Sequence, residues 1–270
     1  MDLKFLTEKE ILLGQEFLDQ GYVIVPVDDA NELLHLQESI ANLAAKNLGV
    51  EISETPENFL NTIAEYVDRD ELNNFRLSII SGINNQDWLR PTYYGMAREA
   101  LSAIVGNELV MQRRVNMSIQ LPMDDSSLLP VHADVWSGDS PFEVVAWLPL
   151  VDCFETKSMY ILNPIKNTEI QKNIRDFEGQ SAEELFRSIK DDVVFLNIPF
   201  GNVLVFSPNL LHGNRVNEVS ETRWSMNCRF KSVFSPYADK KLGEFFDPIT
   251  LRTATLMGLN YQLPGGFFDS

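Results

Sequence analysis

The hydrophobic period of this sequence changes near residue 109, and that change restricts the fold more than any other feature. Before it, apolar residues recur every three or four positions, as they do in helices (for example over residues 30–48). After it, apolar and polar residues alternate, as in 115–121 and 223–230, which is typical of strands with one buried face. Helices followed by many short strands predict a mainly β fold with α-helices: a double-stranded β-helix, or jelly roll, flanked by N-terminal helices.

The helical part carries recognisable start and stop signals. Thr7 and Glu10 match a capping box ahead of the first helix, and residues 22–26 predict a short strand. Further helices are predicted over 30–48, 57–67 and 88–105. A turn region at 82–85 and Pro91 are expected to interrupt this series.

The chain reads as one domain, 1–270, because no stretch rich in Pro, Gly and Ser separates the helical part from the strands. We expect mostly helical support over 1–108, a jelly-roll core over 109–234 and a C-terminal tail or helix over 235–270. Residues 166–190 predict a polar, partly helical insertion within the core.

Composition limits the partners and the compartment. The formal net charge of −17 argues against nucleic-acid and anionic-membrane partners and leaves a small molecule as the expected partner. No stretch approaches the 18 or so apolar residues of a membrane span, and the N-terminus lacks a signal-peptide core. Cys153 and Cys228 are too few for a disulfide framework, so a cytoplasmic location is the default expectation. Whether the protein forms a homodimer stays open.

The sequence contains three histidines, and two of them suggest a metal site. On an extended strand, His132 and Asp134 would project to the same face and reach one metal ion. His212 would complete a two-histidine, one-carboxylate triad, the ligand set of non-haem Fe(II) oxygenases. Taken alone, His132 could also be a strand histidine with satisfied hydrogen bonds. His35 lies among leucines on a predicted helix and is given no role.

A strand after His212 adds two polar side chains to this pattern. Arg223 follows His212 by eleven residues, and Ser225 lies on the same strand face as Arg223. An arginine is a natural bidentate partner for a carboxylate, and a serine hydroxyl can add a further hydrogen bond.

These residues together resemble a known family. The spacing of His132-x-Asp134, His212 and Arg223-x-Ser225 looks like that of the phytanoyl-CoA-hydroxylase-like branch of the Fe(II)/2-oxoglutarate-dependent oxygenases. Segments 131–141 and 147–152 look closer to a bacterial subgroup linked to carbohydrate-biosynthesis clusters, which resembles the streptomycin-biosynthesis oxygenases. The resemblance covers roughly residues 110–235.

That resemblance implies a cofactor and two cosubstrates. The three ligands would hold Fe(II), with 2-oxoglutarate and O2 as cosubstrates, and Arg223 with Ser225 would bind the far carboxylate of 2-oxoglutarate. Trp147 stands where the family often places an aromatic beside the cosubstrate, although core packing explains it equally. Gln120 shares a strand face with Asn116 and could bond the cosubstrate or substrate, or it could belong to a chance polar face.

The resemblance also implies a sugar or sugar-derived substrate. Trp136 could stack on a sugar face and Asp139 could bind hydroxyls, although Ser137–Pro141 is also a good turn sequence. Asn116 is a further candidate contact. Arg229 alternates with Arg223 on one strand face and needs an anionic partner, which could be a substrate phosphate or carboxylate or a structural ion pair.

Two other functions fit the same pattern. One is a cupin-like metalloenzyme that does not use 2-oxoglutarate, against which Arg223 and Ser225 argue. The other is a non-catalytic carbohydrate-binding jelly roll with a structural metal or none; a structural metal usually has a closed ligand shell, which three ligands do not provide. Asp134 favours hydroxylation or another oxidation over halogenation, because related halogenases have a small residue there. The position oxidised, and the choice among hydroxylation, desaturation and epoxidation, stay open.

Overall fold

The computed structural model describes residues 5–262 as helices and strands in the predicted order. The helices are α1 (Glu8–Gln20), α2 (Ala30–Leu48), α3 (Pro56–Asn61), α4 (Arg69–Asn84), α5 (Leu89–Met96), α6 (Arg98–Ile104), α7 (Pro164–Lys172), α8 (Ala182–Ile189) and α9 (Thr253–Leu259). The strands are β1 (Tyr22–Pro26), β2 (Leu109–Gln112), β3 (Asn116–Gln120), β4 (Glu143–Pro149), β5 (Tyr160–Leu162), β6 (Val193–Phe195), β7 (Asn202–Phe206), β8 (His212–Gly213), β9 (Arg223–Ser232) and β10 (Phe246–Pro248).

The first two helices and the first strand are confirmed. Thr7 and Glu10 form the capping box of α1, and Gly21 ends that helix in the left-handed conformation, at φ 74°. The predicted 30–48 helix is α2, whose N-terminus is capped by Asp29.

The next helices differ from the prediction. The prediction of a turn region at 82–85 is wrong, because the first three of these residues belong to α4. Gly82 faces α2, where an added Cβ would lie 3.1 Å from the Leu43 side chain, so this glycine allows close helix packing. Pro91 does not interrupt α5; it lies in the first turn, where its missing N–H costs no hydrogen bond.

Two antiparallel sheets form the core, which confirms the jelly roll with flanking helices. The large sheet has the order β1-β7-β4-β9-β2-β10, and β3 also pairs with β9. The small sheet has the order β6-β5-β8. Strand β1 comes from the helical part of the chain and pairs with β7, so the N-terminal residues contribute to the sheet as well as covering it.

Strand β9 connects the helical layer to the interior of the jelly roll. Alternate residues of β9, Trp224 among them, are completely buried. The ring of Trp224 packs edge-on against Phe75 of α4, and its indole N–H donates to the Leu60 carbonyl at 2.8 Å. The intervening residues line a cavity: Arg223, Ser225, Asn227 and Arg229. The two-residue period therefore gives β9 one face for the core and one for a site.

The insertion and the C-terminal part contain the remaining helices. Helices α7 and α8 lie between β5 and β6, and their apolar residues, including Ile170 and Leu185, pack with Leu162 in a second hydrophobic cluster. The predicted C-terminal tail or helix contains β10, paired with β2, and α9, while residues 263–270 of it lie outside the described residues. None of the described helices is long and apolar enough to cross a bilayer.

Candidate metal centre

His132, Asp134 and His212 converge at the edge of the small sheet. Each offers one ligand atom, and these atoms all lie within 4.8 Å of one another. The two histidines are fixed by a reciprocal backbone pair: His132 N–H donates to the His212 carbonyl at 3.0 Å, and His212 N–H donates to the His132 carbonyl at 2.9 Å. As a result, their rings lie 4.3 Å apart, centre to centre.

The predicted geometry of the first pair is wrong in one respect. His132 forms an isolated bridge, and the chain turns at Asp134 into a short 3-10 helix, Asp134–Ser137, instead of continuing as a strand. The Asp134 carboxylate still reaches the site, with Oδ1 3.4 Å from His132 Nε2. The turn therefore brings the two side chains together by a route other than the strand period.

Backbone carbonyls hold both imidazoles in an orientation suited to a metal. Nδ1 of His132 lies 2.8 Å from the Pro130 carbonyl oxygen, and Nδ1 of His212 lies 2.9 Å from that of Leu210. Because a carbonyl only accepts, each Nδ1 carries a proton, and in the neutral imidazole Nε2 then keeps its lone pair for a ligand bond. Metal-bound histidines usually donate their other N–H in this way.

The charge states also favour a cation at this position. Burial lowers the pKa of His212 to about 4, so its imidazole is neutral at pH 7. Burial opposes the ionisation of Asp134, but its contacts with His132 and Arg229 outweigh this and lower its pKa. A neutral imidazole and an ionised carboxylate are the forms that bind a divalent metal.

Arg223 and Ser225 lie in the same cavity with polar atoms that have no partner. The Arg223 side chain is buried, and its Nη2 donates to Ser118 Oγ at 2.9 Å. Its Nε and the hydroxyl of Ser225 are buried with no hydrogen-bond partner among the described residues. Burial lowers the pKa of Arg223 to about 10, so the guanidinium stays charged at pH 7. This buried cation and free hydroxyl fit a carboxylate, because unpaired buried charge is costly.

The cavity has a volume of about 460 Å³, and both sheets, α4 and the loop after β3 contribute to its wall. Trp147 of β4 lines it and is almost fully buried. Asn116 also lines it, and its side-chain amide donates to the Asn227 side chain at 3.1 Å. The structure thus brings eight of the residues predicted to form the site to one cavity: His132, Asp134, His212, Arg223, Ser225, Trp147, Asn116 and Arg229.

Three other candidates do not line this cavity. The Gln120 side chain is fully buried and donates to the Arg215 carbonyl at 2.7 Å, so its amide N–H is used within the protein. Trp136 is 42% exposed, and its indole N–H donates to Gln171 at 3.2 Å. Asp139 is buried and pairs with Lys240 and Arg229.

Arg229 lines the cavity, but protein groups already occupy its guanidinium. Nη2 lies 3.1 Å from Asp134 Oδ1, and Nε lies 2.7 Å from Asp139 Oδ1. Nη1 donates to Gln112 Oε1 at 3.4 Å. Of the two sequence-based alternatives for this residue, the structure contains the structural ion pair.

Sequence reasoning missed two cations near the site. Arg76 of α4 lines the cavity, and the apolar spacing of Leu72, Phe75 and Ile79 could have revealed this helix. Lys240 pairs with Asp139 from a segment without regular structure, and no local pattern signals that contact.

Comparisons with known proteins give a fold but no sequence family. No family model and no curated protein matches the chain. Among solved structures, a non-heme monooxygenase, ThoJ, in complex with nickel aligns at a TM-score of 0.56 and 13% identity, over 88% of this chain and 84% of that one. HygX from Streptomyces hygroscopicus, with nickel and 2-oxoglutarate bound, aligns at 0.50 and 13% identity, over 88% and 90%. AviO1 from Streptomyces viridochromogenes Tue57 aligns at 0.50 and 12% identity, over 86% and 99%. The chain shares their jelly-roll fold. At 12–13% sequence identity, this similarity shows the fold alone and not the activity.

Proposed function

We propose that this protein is an Fe(II)- and 2-oxoglutarate-dependent oxygenase. One observation carries the proposal: a cluster of three candidate metal ligands shares a cavity with a buried arginine whose Nε has no partner among the described residues. A cupin-like enzyme or a sugar-binding jelly roll gives no reason to bury the Arg223 guanidinium there. A dicarboxylate cosubstrate that spans the metal and Arg223 gives one.

His132, Asp134 and His212 would hold the iron. These three ligands on one face of an octahedral ion leave three adjacent positions for a bidentate 2-oxo acid and O2. The bound iron, with 2-oxoglutarate and O2, supplies the oxidation of a substrate C–H bond, while the protein supplies orientation and electrostatics.

The large sheet would hold the cosubstrate. Arg223 and Ser225 would bind the far carboxylate of 2-oxoglutarate, and Ser118 fixes the guanidinium from the neighbouring strand. Trp147 would form an apolar wall beside the carbon chain and keep water away from it. Both contacts lie on strands of the sheet interior, so little reorganisation is needed on binding.

The substrate we propose is a sugar or sugar-derived metabolite. The resemblance of segments 131–141 and 147–152 to oxygenases of carbohydrate and natural-product biosynthesis supports it. The amides of Asn116 and Asn227 supply polar groups suited to hydroxyls at the cavity wall. Asp134 in place of a small residue supports hydroxylation or another oxidation over halogenation.

The proposal is tested by cosubstrate binding under anaerobic conditions. Addition of Fe(II) and 2-oxoglutarate to the protein is expected to produce a weak visible charge-transfer band. The analogue 2-oxopentanoate has a methyl group where 2-oxoglutarate has its far carboxylate. Wild type should bind it at least about tenfold more weakly, because one charge-assisted contact is lost.

The variant Arg223→Leu identifies the residue responsible. It should bind 2-oxoglutarate and 2-oxopentanoate equally, since the discriminating cation is gone. Arg187→Gln removes a charge from an exposed side chain of α8 and should keep the wild-type preference. A wild-type protein that binds iron but shows neither the band nor any preference for 2-oxoglutarate would favour the cupin-like or sugar-binding alternative.

A further inference from the structure

The charge of the cavity is opposite to that of the chain. The sequence has 39 acidic residues against 22 Lys and Arg, whereas three arginines and one aspartate line the cavity. A cleft of one sign with low-dielectric walls concentrates ligands of the other sign. The cavity is therefore suited to anions although the protein as a whole repels them.

Two of the three arginines have partners: Arg223 through the proposed function, on which this inference rests, and Arg229 through an ion pair within the protein. Fe(II) with Asp134 carries one net positive charge and Arg223 a second, and the 2-oxoglutarate dianion neutralises both. Arg229 pairs with Asp139, a carboxylate that Lys240 also contacts. Arg76 has no such partner among the described residues.

The surroundings of Arg76 support this assignment. Among the described residues, no carboxylate pairs with its guanidinium. Its Nη2 donates to the Asn73 side chain at 2.7 Å, one turn earlier on the same helix. A guanidinium has five donors, so most of its capacity is free for a ligand.

The helix that carries Arg76 is held firmly against the site. Its neighbour Phe75 packs edge-on against Trp224, the residue after Arg223, with ring centres 6.1 Å apart. At the end of α4, the Asn84 side chain accepts from the Val115 N–H and donates to the Val115 carbonyl, both at 2.9 Å, just before β3. These contacts fix the backbone of Arg76 in position relative to the candidate metal and cosubstrate residues.

We infer that Arg76 binds an anionic group of the substrate, and that the substrate is a polyhydroxylated small molecule with a carboxylate or phosphate. The anion would sit at the α4 side of the cavity, and Asn116 and Asn227 would face the hydroxyl-bearing part. This gives specificity by charge as well as by shape, because a neutral sugar offers the guanidinium no charge-assisted hydrogen bond.

Simple anions test the inference before the substrate is known. Protein loaded with Ni(II), which stands in for iron, and saturated with 2-oxoglutarate is titrated with inorganic phosphate and with acetate by calorimetry. We expect millimolar binding of at least one anion, weakened about tenfold or more in Arg76→Gln. Arg76→Lys should recover part of it, and Arg187→Gln should match wild type. Thermal unfolding of each variant monitors folding.

A matched set of sugars then identifies the anionic group. Glucose, glucuronate and glucose 6-phosphate share a hexose ring and differ in charge. Glucuronate or glucose 6-phosphate should bind more tightly than glucose to wild type, and Arg76→Gln should lose that preference. The sugar preferred also distinguishes a carboxylate from a phosphate.

Several results would overturn the inference. One is that no anion binds at millimolar concentration. Another is that wild type and Arg76→Gln bind anions equally well. A third is that anion binding depends only on Arg223 and competes with 2-oxoglutarate. Failure of the proposed function gives a different result: wild type would not bind 2-oxoglutarate. The same titrations without 2-oxoglutarate would then still test Arg76.

Discussion

Nη2 of Arg229 lies 3.1 Å from Oδ1 of Asp134, so an arginine on the large sheet contacts the carboxylate of the candidate metal centre. The same guanidinium places Nε 2.7 Å from the buried carboxylate of Asp139, which also pairs with Lys240. The candidate metal ligand Asp134, strand β9 and the C-terminal segment are therefore joined by one line of charged contacts. Partners behind a metal ligand fix its orientation, and their loss usually weakens metal binding or activity.

Replacement of Arg229 with glutamine should lower metal affinity by roughly 10–100-fold, because Asp134 loses the group that orients it. It should also reduce the free energy of unfolding by roughly 1–3 kcal/mol, since Asp139 keeps only Lys240 as an ionic partner. Ni(II) competition with a chelator and urea denaturation measure the two effects. If Arg229 instead bound substrate, metal affinity would stay at the wild-type value and only the substrate KM would rise.

Replacement of Asp134 with alanine should reduce Ni(II) affinity by roughly a hundredfold or more and abolish succinate formation from 2-oxoglutarate. The matched control is His35→Ala. The His35 ring packs 4.8 Å from that of Trp88, away from the metal centre, so metal binding should match wild type. Full activity of the Asp134 variant would contradict the proposed triad.

The sequence predicted the parts of the site that follow from strand period and spacing. Arg223 and Ser225 share one face of β9, and this alternation alone directs them to the same side. His212 was recognisable from its spacing to Arg223. Asp134 does lie beside His132 and His212, but the predicted local reason was wrong, because a 3-10 turn and not a strand brings it to the candidate metal centre.

Long-range ionic contacts were beyond the reach of sequence reasoning. The need of Arg229 for an anion was predictable from its buried strand face, but its choice of Asp139 depends on how a loop and the C-terminal segment pack. Asp139 was consequently assigned to hydroxyl binding, although its carboxylate is occupied by two cations. The prediction of a turn at 82–85 was wrong for a similar reason. Glycine often marks the end of a helix, but Gly82 lies inside α4 and allows it to approach α2 closely.

Glu143 provides a pH-dependent test of the charged cluster next to Arg229. Burial, and then the nearby Asp139, raise the pKa of Glu143 from 4.5 to about 7. The folded state therefore binds a proton that the unfolded state releases between these values, and stability falls as the pH rises through that window. Glu143→Gln, which keeps the oxygen that accepts from the Ser140 N–H, should be more stable than wild type at pH 8, by on the order of 1–3 kcal/mol. Denaturation at pH 5 and pH 8 measures this difference, which should shrink at pH 5; a constant difference would contradict it.

Gly213 follows His212 in β8 and is packed too closely to accept a side chain. A Cβ there would lie 2.6 Å from the Tyr160 hydroxyl and 2.7 Å from the Leu129 carbonyl oxygen. Since one of these contacts is with backbone, Gly213→Ala should shift β8 and the adjoining imidazole. We expect a loss of roughly 1–3 kcal/mol in unfolding free energy and about a tenfold loss in Ni(II) affinity, measured by denaturation and chelator competition.

Gly14→Ala is the matched control for that substitution. Gly14 lies in α1 with nothing within 4 Å of an added Cβ, so alanine should fit and stabilise the helix by roughly 0.4–1 kcal/mol. The same chemical change should thus have opposite effects at the two positions, and only the one beside His212 should alter metal binding. If Gly213→Ala lost stability but kept wild-type Ni(II) affinity, the strain would be absorbed by Tyr160 or the Leu129 loop, and the proposed coupling between β8 packing and the His212 ligand would be wrong.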